Sequence, residues 1–155
     1  MTVPSAVVRL LRGFPEVGSD EQAFPFLTVD DRGFPHVALL SRSEMDVAPA
    51  EHVVLAAIAS TRTCANLRRD GRAGLVAVGD TSAHYLKLHV VRTIEAEGLM
   101  GWALEVDEYK EDSLGIPLAP MGFHATSEVA RIDRWASSAA VLRQLAEGAG
   151  ADVSR

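Results

Sequence analysis

The eight residues from 52 to 59, HVVLAAIA, are almost wholly apolar. A half-buried strand alternates apolar with polar residues. An unbroken apolar run of this length, bounded by turn residues, reads instead as a strand buried on both faces. The chain must therefore build a sheet that is covered on either side at this point. Other segments supply the rest of it. In FPFLTVDDRGFPHVALLS, two apolar runs flank Asp30, Asp31, Arg32 and Gly33, a turn sequence that predicts a β-hairpin with Pro35 opening its second strand.

After the buried strand, STRTCANLRRDG predicts a helix over about 61–70, ended by Asp70-Gly71. RAGLVAVG follows as a strand whose Gly74 marks a bulge or a close approach. AHYLKLHVVRTIEAE is a long strand, with His84, Leu86, Leu88, Val90, Arg92 and Ile94 on one face. GWALEVDEYKED alternates and predicts another strand, with Trp102, Leu104 and Val106 together. Ser5 caps a short first helix closed by Gly13. The segments 13–25 and 113–124 read as loops from their Gly and Pro content, and 125–135 as a last strand. A C-terminal helix then runs from a cap at Asp133 to Gly148. The expected architecture is mainly β: one domain over 1–155, a barrel of about six antiparallel strands with small flanking helices.

Composition excludes several functions. The net charge of −6 argues against nucleic acid or an anionic membrane as a partner, since both need an excess of Lys and Arg. A single cysteine, Cys64, rules out an internal disulfide and a cysteine-rich zinc site, and it reads as a small core filler. No apolar run reaches the roughly 18–20 residues of a membrane span, and the start lacks a cleavable leader, so a cytoplasmic protein is expected. His84 and His89 fall on opposite faces of one strand and cannot converge on a metal, so no metal site is expected. His89 and Tyr85 are the only weak candidates for acid or base work, and the catalytic residues stay unassigned.

One feature carries chemistry. Arg62 stands between Thr61 and Thr63 where a helix begins, although a helix start carries partial positive charge and free N–H groups. An arginine there fits an anion site: hydroxyls from Ser60, Thr61 and Thr63, N–H groups of the first turn, and a guanidinium fork suited to phosphate. The simpler reading has Thr61 capping the helix and Arg62 in solvent.

The order of these motifs resembles the pyridoxamine 5'-phosphate oxidase-like, FMN-binding split-barrel superfamily: the hairpin FLTVDDRGFPHVALLS, the buried strand, STRTCANLRRDGRAGLVAV, then YLKLHVVRTIE. The resemblance covers about residues 24–95 and implies a flavoprotein oxidoreductase that is a homodimer, binds FMN at the subunit interface and acts on a small-molecule substrate. It implies a phosphate grip by Arg62, flanked by Thr61 and Thr63. Ser41 would contribute at the end of the second strand, and His36 stands where an arginine is common. The backbone of Ala57, Ile58 and Ala59 would meet the flavin ring, with Ser60 beside it. Arg42 is a possible second cation. Two alternatives follow from the same resemblance: a deazaflavin-dependent oxidoreductase, or a non-enzymatic split-barrel binding protein with weakened cofactor binding.

Overall fold

A computed structural model describes residues 1–152. Seven antiparallel strands form one curled sheet: β2 (Phe24–Val29), β3 (Pro35–Leu40), β4 (Met45–Val47), β5 (Val53–Ile58), β6 (Arg72–Gly79), β7 (Ser82–Ala96) and β8 (Leu99–Ser113). Their spatial order is β3-β2-β6-β7-β8-β5-β4. The first and last strands in this order, β3 and β4, are consecutive in the chain and joined by the tight turn 41–44, so the sheet curls nearly back on itself. Helix α1 (Ser5–Leu11) packs against β4 and β6 and buries Val7, Val8 and Leu11. The interior is filled by Phe24, Phe26, Leu75, Leu86, Leu88, Trp102 and Leu104, with Cys64 and Leu67 from α2 (Thr61–Asp70).

The apolar run is buried on both faces, and each face has its own cover. Val54, Ala56 and Ile58 point into the barrel. Leu55 and Ala57 pack outward with Val141, Leu142 and Leu145 of α4 (Trp135–Asp152). Gly101, opposite Ala57 on β8, allows this close helix approach: a Cβ there would lie 2.7 Å from Ile94 Cγ1 and 2.8 Å from Val141 Cγ1.

Several local expectations are corrected. Short β1 (Asp20–Gln22) pairs with β9 (Gly122–His124) inside segments that read as loops. The Gln22 amide both donates to and accepts from the Val78 backbone at 2.8 Å, which ties β1 to β6. Ser5 is the first helical residue, preceded by Pro4, and caps nothing through its side chain. The 125–135 segment is not a strand. The Thr126 hydroxyl accepts from Val129 N at 3.1 Å and starts α3 (Ser127–Ile132), with Glu128 favourably in its first turn. Asp133 is the C-cap of α3 and not a cap of α4, and α4 continues through Gly148.

The long strand β7 does not keep one face throughout. Val90 pairs with Leu104 and Arg92 with Ala103, so Val91 is bulged. A bulge adds one residue and reverses the side-chain parity beyond it. Leu86 and Leu88 therefore face the barrel, while Ile94 packs under α4 and the Arg92 guanidinium donates to the Leu145 carbonyl. Gly74, by contrast, pairs regularly with Lys87.

Candidate functional site

Strand β5 ends where α2 begins, and two recesses lie on either side of that junction. Ser60 caps α2, its hydroxyl accepting from Thr63 N at 3.3 Å, so the cap is Ser60 and not Thr61. Gly71 at φ +68 closes the helix, its N–H donating to the Leu67 carbonyl at 2.8 Å; glycine adopts this left-handed conformation without a Cβ clash.

The first recess is a mostly apolar cleft of about 220 Å³. Leu39 and Leu40 from the end of β3, Ala57–Ser60, Leu99 and Ile132 form its walls. Its polar groups are Glu44, Ser60, Asp133, Arg134 and Ser138. Burial, and next the charge of Asp133, push the Glu44 carboxyl up to about 7, against a weaker opposing contact from the Ser41 N–H at 3.4 Å. Glu44 is held at the β3–β4 turn, where its own carbonyl accepts from Ala57 N at 2.8 Å.

The second recess is polar and about 450 Å³ in volume. It is lined by Arg62, Arg69 and Asn66 of α2 and by Asp30, Asp31, Arg32 and His36 of the hairpin. A buried chain of hydrogen bonds joins helix to hairpin: Asn66 Nδ2 donates to Thr28 Oγ1 at 2.9 Å, and Arg69 donates to Asn66 Oδ1 at 2.9 Å. The Asp30 carboxylate is engaged by the turn, accepting from the N–H groups of Arg32 and Phe34, both at 2.9 Å. The Phe34 contact, foremost, holds it below the usual carboxylate range. Three guanidiniums against two carboxylates leave the recess net cationic. Arg62 has no carboxylate within salt-bridge distance among the described residues and is exposed.

The expected site residues are thus divided. Ala57, Ile58, Ala59 and Ser60 line the apolar cleft, and Arg62 lines the cationic recess. Thr61 is exposed at the first helical position. Thr63 is fully buried and its hydroxyl has no hydrogen-bond partner within the chain. Ser41 is buried and bonded to the Ser43 hydroxyl. Arg42 is turned to other partners: its Nε and Nη2 both donate to the buried Glu21 carboxylate at 2.8 Å and its Nη1 to the Arg12 carbonyl at 3.4 Å, and the Glu21 contact raises the guanidinium pKa further. His36 does join Arg62. Arg32, Arg69 and Glu44 were missed. The arginines belong to separate elements that only tertiary packing brings together. Glu44, in the polar stretch SRSE, carries no sign of burial in the sequence.

Tyr85 and His89 lie away from both recesses. Tyr85 borders an outer groove with Leu27 and Gly74, and His89 bonds Asp107 at 2.7 Å on the exposed sheet. His84 is buried against the Tyr109 hydroxyl at 2.7 Å. Among the described residues, no group of His, Cys, Asp and Glu is arranged to hold a metal, and no helix is long and apolar enough to cross a membrane.

No known protein-family profile matches the chain. A 67-residue stretch is 34% identical to the uncharacterized protein YclD of Bacillus subtilis strain 168; it covers 43% of this chain and 44% of that protein's length. Among solved structures, the chain is similar to HupZ of Group A Streptococcus, at TM-score 0.55 and 14% identity over 76% of this chain and 99% of that one. It is also similar to an F420 reductase, at TM-score 0.54 and 10% identity over 70% and 98% of the two chains. A nitrilotriacetate monooxygenase component B homologue from Mycobacterium thermoresistibile gives TM-score 0.54 at 10% identity, over 69% and 77%. At these identities the likeness is one of fold, a split barrel built on a curled antiparallel seven-strand sheet with small helices.

Proposed function

We propose that this chain is a flavin-binding oxidoreductase and that its cofactor is FMN. The observation that carries the reading is the pairing of recesses. Ser60 lines the apolar cleft and Arg62 the cationic one, two residues and no more than about 7 Å of backbone apart. A ligand with a flat apolar head and a short anionic tail fits such a pair. Arg62 would grip the phosphate with Arg32, Arg69, His36 and the free N–H groups of α2. The backbone of Ala57–Ala59 would support the ring. The bound flavin would supply the electron-transfer chemistry, and the chain supplies anchoring, orientation and a pocket for a small-molecule substrate.

The deazaflavin reading draws on the breadth of the cationic recess and on the fold likeness to the F420 reductase. Fluorescence titration of the purified protein with FMN and, in parallel, with F420 tests both. Micromolar or tighter FMN binding is expected. Preference for F420 moves the assignment to the deazaflavin, and binding of neither leaves a split barrel that has lost its cofactor.

The cofactor site would be shared by two copies. Val29, Val37 and Leu39 stand 44–53% exposed on the outer face of the β2–β3 hairpin. A contiguous apolar row on a small protein favours docking of a partner there. Leu39 also borders the cleft, so a second copy docked on this face would wall its open side. Sedimentation equilibrium is expected to give a dimer at micromolar concentration, dissociated by Leu39→Asp; a monomeric parent overturns the dimer.

A further inference from the structure

Among the described residues, Glu44 is the titratable side chain most out of place. It sits in an apolar cleft with no cation within salt-bridge distance among the described residues. The charged groups around it come from the α3–α4 corner: Asp133, which opposes its ionisation, and Arg134, which donates to the Glu97 carbonyl. The β3–β4 turn presents only the Ser41 N–H. The cleft's linings from β3, β5 and β8 are apolar, and α4 adds only the Ser138 hydroxyl. A carboxyl in such a place keeps its proton well above the usual carboxylate range, as a donor, and the charge of Asp133 beside it opposes its ionisation.

We propose that the Glu44 carboxyl reads the polar edge of the ligand's ring, donating a hydrogen bond to a carbonyl oxygen of a flavin seated in the cleft. The proposal rests on the flavin reading above and adds to it a residue and a pH dependence. A buried acceptor left facing a carboxylate loses its partner and meets a like partial charge, so ring affinity follows the protonated fraction of Glu44. With the carboxyl titrating at about 7, that fraction drops about tenfold between pH 6 and pH 8.

Riboflavin, which lacks the phosphate, isolates this effect from the phosphate contacts of the cationic recess, His36 among them. Its dissociation constant, followed by flavin fluorescence, is expected to rise about tenfold from pH 6 to pH 8 with the parent protein. It should be flat with Glu44→Gln, which keeps a donor at every pH. Asp133→Asn should move the midpoint to lower pH by removing the neighbouring charge. A flat riboflavin profile in the parent overturns the proposal, as does an unchanged slope in Glu44→Gln. So does affinity that rises with pH, which would make Glu44 an acceptor for the ring N–H. FMN binding with a flat riboflavin profile removes only the role of Glu44, whereas binding of neither flavin at any pH removes the cofactor reading with it.

Discussion

Glu44→Gln is expected to stabilise the folded protein at pH 8 by about 3 kcal/mol, and hardly at all at pH 4. The carboxyl titrates at about 7 in the folded chain, against 4.5 for its ordinary value. Between those limits the folded state holds a proton that the unfolded state has released. Stability of the parent therefore falls as pH rises through this window, and the loss is complete above the folded value. Each unit of separation corresponds to about 1.4 kcal/mol. Glutamine keeps the shape and an acceptor for the Ser41 N–H but carries no charge to desolvate. At pH 8 the melting temperature should rise by roughly 6–12 °C for a chain of this size. Urea unfolding of parent and variant at pH 4, 6 and 8 checks this. Parallel pH profiles for the two proteins would show that the carboxyl is hydrated and the cleft open.

On the proposed reading, Arg62→Ala is expected to weaken FMN binding by about ten- to a hundredfold. Hydrogen bonds to charged groups contribute about 1.5–3 kcal/mol, and the guanidinium would meet the phosphate through two of them. Unliganded stability should not fall, because Arg62 has no carboxylate partner and sits at the positive end of α2. Arg62→Lys should recover part of the affinity, since it keeps the charge and loses the fork. Arg42→Ala serves as the contrast: it breaks the Glu21 pair and lowers stability without acting through the phosphate. Equal FMN affinities for parent and Arg62→Ala would return Arg62 to solvent and leave Ser60 as a helix cap alone.

Local chemistry decided much of this molecule. The hairpin around Asp30–Gly33, the doubly buried strand β5, the bounds of α2 and the glycine that ends it were all legible, because each depends on residues within about ten positions of one another. So was Arg62 as a cation out of place at a helix start. The turn residues and apolar runs that predict these elements also predict a barrel. Short-range reasoning failed where a segment's state depends on a distant partner. Asp20–Gln22 is a strand only because Gly122–His124 arrives beside it, and the bulge at Val91 follows from fitting β7 to both the barrel and α4.

The candidate site residues divide on the same line. Arg62 stands out in sequence, but Arg32, His36 and Arg69 become its neighbours only when the hairpin folds against α2 through the Thr28–Asn66–Arg69 hydrogen bonds. Arg42 looks equally available in sequence and is withdrawn by Glu21, twenty-one positions away. Glu44 is an ordinary polar turn residue until the α3–α4 corner, some ninety positions later, closes over it with Asp133. A backbone's preference is set by its own side chains and near neighbours. Burial and electric potential at a site are sums over everything packed around it, and only the tertiary structure supplies that sum.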